Sequence, residues 1–475
     1  MNERAGIVRP IRRGRPSPCE SPAACRRGRD FTNLTDSQGA CRLSLPAGSF
    51  VALAVAFACP VVNPPQPQLR DSSRLARHGL RAAVVVSALA MGYALRWSLD
   101  AAPPGGATAV TERVPGTRRV AGTRRGFGPA LAVEPYGRMP GEFERKDALL
   151  LGVNELIRFH PQTLVDIVAA IAGQTRIVAL ISEAAQEQQV LDLLRGRGLA
   201  TDTISFFVWP AESMWVQDFG PQEVVGEHGA RVVDFEYQVP GLEVENQLPM
   251  AFAASFGMQI THSHLAMEGG GYLSNGRGLC ISSTRLIEQN QSRGFDIQSI
   301  GRFLHTAFNF KDWIYVPPII GETTGHLDLF LSLGGPGTIF LAAYDPAEDR
   351  ENADRMDANA RTLMENVVVE GRPPEIIRIR QPAARDGCWR SYTNVIYANG
   401  VVLVPQFPDF SPDLDREALA TYRRAFPDRQ VVGIDTSAII RKRGGLHCLS
   451  LDLPHLPGKL SAGVQRLPAN GAQGL

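Results

Sequence analysis

The sequence lacks several features that would assign it to a familiar class of protein. It has almost no net charge, with 49 basic against 48 acidic side chains, whereas nucleic-acid-binding domains usually carry a clear basic excess. Its seven cysteines do not form the paired spacing of a zinc site, since Cys19 and Cys25 have no second pair to join them. No exact internal repeat is visible. We therefore expect a site for a small molecule or a peptide, and no nucleic-acid partner.

A long apolar segment is also missing. The uncharged apolar run within residues 82–97 is shorter than the ~20 residues that usually span a bilayer. Arg74, Arg77 and Arg81 precede it, an arrangement typical of a signal peptide or membrane anchor, with residues 107–109 as a cleavage site. A buried helix or a translated stretch without a role is the alternative. The protein would be exported or membrane-attached in the first case and cytoplasmic in the second.

Beyond residue 147, short strands rich in β-branched and aromatic residues alternate with amphipathic helices, which predicts an α/β fold. The predicted strands are residues 176–181, 205–209, 231–235, 313–316, 338–341 and 401–404, and the predicted helices are residues 162–172, 185–195, 297–308, 353–367 and 416–426. Residues 1–130 lack this alternation and are interpreted as a largely unstructured N-terminal extension, and residues 457–475 as a disordered tail. The alternation does not by itself distinguish a propeller from a doubly wound sheet.

Four segments of the α/β part carry residue types suited to chemistry on a guanidinium group. Cys448 offers a nucleophile that attacks as the thiolate, and a nearby cation can lower its pKa. Carboxylates bind the planar N–H fork of a guanidinium in bidentate pairs, and Asp218, Glu268 and Asp328 are the candidates. His326 is suited to protonating the departing ammonia and activating a water. No cofactor is required, because nucleophile, acid and base are all protein groups.

Two of these segments are predicted to be extended. Alternation along a strand would place His326 and Asp328 together on one face. In residues 446–451 it would place Cys448 on one face and His447 on the packing face with Leu449. His447 is therefore interpreted as structural, while Cys280 and Cys388 are interpreted as ordinary core thiols.

Five motifs occur in the order and spacing of a known family. They are residues 215–221 (WVQDFGP), 268–270 (EGG), 322–328 (ETTGHLD), the stretch 391–407 that begins SYTN, and 444–448 (GGLHC). Over about residues 137–456 the chain resembles the agmatine deiminases, a family that includes the bacterial, Porphyromonas-type peptidylarginine deiminases within the pentein superfamily. Gln217 stands where that family usually has arginine, and its Trp-Pro pair is replaced around residues 151–153, departures that bear on substrate identity.

The resemblance implies that residues 131–456 form a deiminase catalytic domain, a five-bladed α/β propeller with the active site on its axis. By motif match it implies Cys448 as nucleophile and His326 as general acid and base. Asp218 and Asp328 would clamp the guanidinium, and Glu268 would join the clamp or orient His326. The implied reaction converts agmatine and water to N-carbamoylputrescine and ammonia, a step of putrescine biosynthesis.

The residues leave other interpretations open. Trp215 is expected to contact the substrate, which could be agmatine or an arginine side chain of a protein, the latter favoured if the chain is exported. A fold that binds guanidinium without turnover is a second alternative. The glycines after Glu268 could cradle a phosphate, although strand-like residues follow where a helix N-terminus is required. His262 and His264 could join His326 and Asp328 in a metal site, but no further ligand pair of fixed spacing supports one, and we expect none.

Overall fold

The computed structural model describes residues 136–457 together with the two short segments 120–121 and 464–465. Residues 82–97 lie outside the described residues, as do almost all of the N-terminal extension and most of residues 457–475, so the targeting segment and the tail stay predictions. All described residues belong to one unit, residues 110–475. Within the described part, none of the helices is long and apolar enough to cross a membrane.

The described part contains both strands and helices along its whole length. The strands are β1 (Val120–Ala121), β2 (Ala148–Gly152), β3 (Arg176–Ile181), β4 (Ile204–Val208), β5 (Gln222–Gly226), β6 (Gly229–Glu236), β7 (Gln259–Ala266), β8 (Tyr272–Ser274), β9 (Leu279–Ser283), β10 (Asp312–Val316), β11 (Leu331–Gly335), β12 (Thr338–Ala343), β13 (Glu375–Arg380), β14 (Ile396–Ala398), β15 (Val401–Gln406), β16 (Gln430–Asp435), β17 (Ser450–Leu453) and β18 (Val464–Gln465). The helices are α1 (Leu156–Phe159), α2 (Pro161–Ile171), α3 (Ala185–Gly196), α4 (Val216–Phe219), α5 (Leu248–Phe256), α6 (Arg285–Gln291), α7 (Ile297–Phe308), α8 (Arg350–Asn366) and α9 (Pro412–Ala425). Short 3-10 turns occupy Glu245–Gln247, Gly269–Gly271, Ile440–Lys442 and His447–Leu449.

These strands form five sheets with one recurring topology. The sheets are β17-β2-β3-β4-β18, β5-β6-β7, β8-β9-β10-β1, β11-β12-β13 and β14-β15-β16. In each of them the first strand runs antiparallel to the second, and the second runs parallel to the third. The predicted α/β fold is confirmed, and the repeat that the amino acids do not show is present in the strand topology.

The first sheet joins the two ends of the described chain. β17 pairs with β2 in antiparallel register, with Ser450 opposite Leu151 and Leu453 opposite Ala148. Every residue of β2 is buried, as expected for a strand with apolar packing on both faces. Residues close to the C-terminal end of the described part are therefore fixed against its first long strand.

Local sequence signals set the ends of several helices. α7 coincides with the predicted range because the Asp296 side chain accepts a hydrogen bond from the Ser299 backbone N–H at its start, and Asn309 adopts a left-handed conformation at its end. α8 begins three residues before its predicted start, at Arg350, because Asp349 caps it by accepting from the Asn352 backbone N–H. The apolar faces of the helices pack on the sheets. The loops that connect one sheet to the next carry the candidate site residues.

Candidate active site

The candidate residues lie on the loops that lead from one sheet to the next. Asp218 follows β4, Glu268 follows β7, His326 and Asp328 follow β10, and Cys448 follows β16. β7, β10 and β16 are each the third strand of the recurring unit in their sheet, and β4 lies beside the third strand, β3, of the first sheet. From each of them the chain continues to the first strand of the unit in the next sheet. The shared topology therefore delivers residues that are up to 230 positions apart, from 218 to 448, to one place, as the following contacts demonstrate.

Cys448 is buried in a 3-10 turn and not in a strand. The turn spans His447–Leu449, and β17 begins only at Ser450, so the predicted extended conformation is wrong for the cysteine itself. The Gly445 backbone N–H points to the Cys448 Sγ at 3.5 Å, and the Asn394 Nδ2 at 3.6 Å. The Asp328 Oδ2 lies 3.8 Å from the same sulfur. The thiol is thus held between two neutral donors and one carboxylate.

This setting raises the pKa of Cys448 well above its ordinary value. Burial is the main cause, and the charges of Asp328 and Asp218 add to it, while the Gly445 N–H and Asn394 oppose it. The expectation of a thiol already activated by a neighbouring cation is therefore not met without substrate. A cation bound beside these carboxylates would remove much of the opposing field.

His326 is buried between two carboxylates. Its Nε2 lies 2.6 Å from Glu268 Oε2, and its Nδ1 lies 3.7 Å from Asp218 Oδ1. Burial by itself lowers the pKa of an imidazole, but the charges of Asp218, Glu268 and Asp328 together raise the pKa of His326 to about 10. The side chain is therefore a charged imidazolium at neutral pH, in the protonation state of an acid.

The segment containing His326 and Asp328 is a loop and not the predicted strand, since it ends in a turn directly before β11. The division of faces is nevertheless the predicted one: His326 and Asp328 contact the site residues, whereas Leu327 and Leu329 belong to a hydrophobic core cluster. The backbone N–H groups of Leu327 and Asp328 donate to the Gly270 carbonyl at 2.8 and 3.2 Å. A side chain at Gly270 would place its Cβ 2.7 Å from His326 Nδ1, so this close approach requires glycine.

Two carboxylate oxygens in the site accept no hydrogen bond from any described residue. They are Asp218 Oδ1 and Asp328 Oδ1, and both are buried. The side chains of these residues are 12% and 2% exposed. Burial is the main cause that raises the pKa of Asp218 to about 7, and the charges of Glu268 and Asp328 add to it, while the charge of His326 and a backbone hydrogen bond from Gly270 oppose it. Buried acceptors without donors are uncommon in folded proteins, so these oxygens mark the place of a donor-bearing ligand.

His447 is part of the site, and the interpretation that placed it on the packing face is wrong. Because residues 447–449 form a 3-10 turn, the two-residue alternation of a strand does not apply to them. The His447 Nδ1 lies 2.7 Å from Asp328 Oδ2, and its Nε2 lies 2.8 Å from Glu142 Oε1. Burial opposes its charge, but Glu142 and Asp328 raise the pKa of His447 well above its ordinary value.

Asn394 and Glu142 also contact the site, although sequence reasoning gave neither a role. Asn394 lies on the β13–β14 loop, and its Oδ1 accepts from the His447 backbone N–H at 2.9 Å. With Asn394 included, each of the five loops between sheets contributes at least one residue to the site. Both residues lie within the stretches that carry the family resemblance, which is the signal that could have found them.

Trp215 immediately precedes helix α4. Its ring lies against Gly444 and packs on a core cluster that includes Leu446 and Leu449. It therefore borders the loop that carries Cys448, and its contact with a substrate stays a prediction.

The geometry does not support the phosphate and four-residue metal alternatives. The glycines after Glu268 form a 3-10 turn that leads into β8 and not into a helix. His262 pairs with Asp234 at 2.9 Å, and His264 lies 3.9 Å from Glu236. Both histidines are exposed and engage partners outside the site.

Another group of metal-type ligands does occur among the described residues. Ligand atoms of Asp218, Glu268 and His326 lie within 4.8 Å of one another. A metal binds neutral imidazole, however, and a pKa of about 10 means that an ion would have to displace a strongly held proton from His326.

Comparisons with known proteins find a matching family model and several relatives. A family model described as Porphyromonas-type peptidyl-arginine deiminase matches residues 138–454. A protein of Marinomonas sp. (strain MWYL1) named "Putative agmatine deiminase" is 23% identical over 358 residues, which cover 67% of this chain and 94% of that protein.

Solved structures show the same fold. The agmatine deiminase of Enterococcus faecalis superposes with a TM-score of 0.58 at 20% identity, covering 69% of this chain and 99% of that one. An agmatine deiminase variant of C. jejuni with substrate bound gives a TM-score of 0.58 at 18% identity, covering 67% and 97%.

Proposed function

The chain belongs to the Porphyromonas-type peptidyl-arginine deiminase family, whose members are hydrolases of C–N bonds in guanidines, and we propose that its substrate is agmatine. Water and agmatine would give N-carbamoylputrescine and ammonia. The observation that carries the proposal is the pair of buried carboxylate oxygens, Asp218 Oδ1 and Asp328 Oδ1, that accept no hydrogen bond from a described residue and lie in the same site as a buried thiol.

A guanidinium group meets the needs of these oxygens. It is a planar cation with N–H donors in a rigid fork, so one group can donate to two carboxylates at once. Its positive charge offsets the charges that raise the pKa values of Asp218 and Cys448. Substrate binding and activation of the nucleophile would therefore be coupled, with the thiol losing its proton to solvent only when the cation is present; this proton balances the ammonia, which leaves the reaction as ammonium.

The proposed reaction has two stages. In the first, the Cys448 thiolate adds to the central carbon of the guanidinium, and the His326 imidazolium protonates the departing ammonia, leaving a covalent thiouronium intermediate. In the second, neutral His326 takes one proton from a water, whose oxygen adds to the same carbon; the adduct then expels the Cys448 sulfur, which takes the remaining water proton, and the neutral ureido product and the resting thiol are formed. Glu268, 2.6 Å from His326 Nε2, orients the imidazole and stabilises its charged form.

Relatives and burial favour agmatine over an arginine in a protein. The relatives described above are named as agmatine deiminases, and Cys448 is 5% exposed, which suits a small free ligand. The name of the matching family favours the other candidate, an arginine side chain of a polypeptide.

Product analysis tests the proposal directly. The full-length protein is incubated with agmatine, free arginine and an arginine-containing peptide. Ammonia and the ureido product are measured for each, with the Cys448→Ala variant as the blank. Agmatine should give the highest kcat/KM. A higher value for the peptide would replace agmatine by protein arginine, and no ammonia from any of the three would leave a guanidinium-binding protein without turnover. A chelator should not change the rate, since every step uses protein groups.

A further inference from the structure

A second buried histidine, His447, contacts Asp328 of the proposed substrate clamp. Both ring nitrogens of His447 face carboxylates, with Asp328 Oδ2 at 2.7 Å and Glu142 Oε1 at 2.8 Å. A neutral imidazole has one N–H, so only the imidazolium can donate to both partners. Glu142, His447 and Asp328 thus form a chain of alternating charge that ends at the proposed clamp.

This chain determines which oxygen of Asp328 is free. Oδ2 is taken by His447, whereas Oδ1 accepts no hydrogen bond from a described residue. Rotation of the Asp328 side chain would break the short, buried, charge-assisted bond to His447. His447 is also linked to the nucleophile through its backbone, because its N–H donates to Asn394 Oδ1 and the Asn394 Nδ2 donates to Cys448 Sγ.

The other charged groups near His447 are fixed as well. Lys146 donates to the Glu142 backbone carbonyl at 2.6 Å and forms an ion pair with Asp452, and the charge of His447 acts on Asp452 in turn. Glu142 and Lys146 belong to the segment that precedes β2, the first long strand. The far end of the charge chain is thus anchored outside the loops that carry the proposed catalytic residues.

We propose that His447 is a positioning residue, kept charged by Glu142, which orients Asp328 toward the substrate and offsets its charge next to Cys448. This role rests on the proposed deiminase function of the site. Glu142 acts only through His447, so its contribution should depend on the protonation of that histidine.

The Glu142→Gln variant separates this role from a purely structural one. The amide oxygen can still accept from Nε2, but the charge that holds the proton on His447 is gone, so the pKa of His447 falls. At pH 6 the variant should retain kcat/KM within about twofold of the wild type. As the pH rises His447 deprotonates, and the alkaline limb of kcat/KM should move at least one unit lower. An equal loss at every pH would overturn the proposal.

The His447→Gln variant removes the charge at every pH. Its kcat should fall about 10-fold or more with a smaller change in KM, because Asp328 keeps its charge but loses its orientation. The double variant Glu142→Gln/His447→Gln should be no less active than His447→Gln, since Glu142 acts through the histidine. Multiplication of the two single losses would contradict this. His262→Asn, which removes an exposed histidine paired with Asp234, is the control and should match the wild type.

Thiol alkylation tests the charge argument without any substrate. Iodoacetamide is neutral and reacts with the Cys448 thiolate, so its rate at pH 8 reports the thiolate fraction. His447→Gln should slow alkylation about 10-fold, and the double variant should react at the same slow rate, since Glu142 acts through the histidine. If no guanidine is turned over but this pattern holds, the proposed function fails and the role of His447 stands. Unchanged alkylation in His447→Gln would reject the role itself.

Discussion

Replacing Asp218 by asparagine removes one half of the proposed guanidinium clamp and should change both binding and stability. The side chain keeps its shape, so the lost quantity is the charge. A hydrogen bond between a charged donor and a charged acceptor contributes roughly 1.5–3 kcal/mol. The variant should therefore bind a guanidinium ligand about 10- to 150-fold more weakly at pH 8.

The pH dependence gives a sharper test. The pKa of Asp218 is raised from 3.8 to about 7, mainly by burial, so below pH 7 the carboxyl must lose a proton before it can pair with the ligand. Affinity of the wild type should rise about tenfold per pH unit between pH 5 and 7 and then level off. The Asp218→Asn variant should lack this rise.

The same shift predicts a gain in stability. A carboxyl whose folded pKa is raised holds its proton in the folded state, and its contribution to stability is lost as the pH increases through about 7. The ligand-free Asp218→Asn variant should therefore melt at a higher temperature than the wild type at pH 8, and this difference should shrink toward pH 5. Such a trade between stability and function is common at binding sites.

Titration calorimetry in a Cys448→Ala background, which prevents turnover, measures the affinity for each ligand as a function of pH. Agmatine serves as the ligand with a charged guanidinium end, and its ureido product as the ligand of similar shape in which that end is neutral. Asp354→Asn, at an exposed ion pair on helix α8, is the matched control. Equal weakening of both ligands, or a pH dependence that persists in Asp218→Asn, would refute the argument that Asp218 pairs with a guanidinium.

Four further outcomes are expected. Cys448→Ser should abolish ammonia release while agmatine still binds, because an alcohol is a far weaker nucleophile than a thiolate; substantial turnover would exclude the covalent route. His326→Asn should lower kcat by roughly 100-fold or more, measured as ammonia release at pH 7.5. Gly445→Ala should lower activity and cost about 1–3 kcal/mol of stability in denaturant unfolding, since its Cβ would lie 2.3 Å from Asn394 Oδ1. A reporter fused after residue 110 should be found outside the cytoplasm if residues 82–97 target the chain, and a cytosolic reporter would remove that support for a protein substrate.

Local patterns predicted five helices and six strands and missed several other elements. The predicted strand 176–181 and helix 297–308 match β3 and α7, because apolar periodicity is strong over their lengths and clear caps or turns bound them. The strands β2, β5, β7, β11, β13 and β16, of five to eight residues, were not predicted, and neither were β8 and β14. β8 and β14 have only three residues each, too few for a period to be counted, and they are held by their neighbours in the sheets.

Site chemistry could be proposed from residue types, but the arrangement of charges could not. The sequence names Cys448, His326 and the three carboxylates as suited to guanidine chemistry. It led to the wrong conformation around His447, because alternation was applied to a stretch that forms a 3-10 turn. It also left out Glu142, which contacts His447 across 305 positions of the chain.

By itself, the amino-acid sequence determined the α/β class, the membership of five motifs in one family and the kinds of groups that do the chemistry, because these depend on local propensity and on residue identity. The tertiary structure decided which groups meet: it closed β17 on β2, brought all five inter-sheet loops together, and placed two carboxylates and a second histidine beside a buried thiol. The charge states of the site residues depend on this arrangement, because a pKa is set by burial and by neighbours within a few ångströms. Those neighbours come from parts of the chain that no local pattern connects.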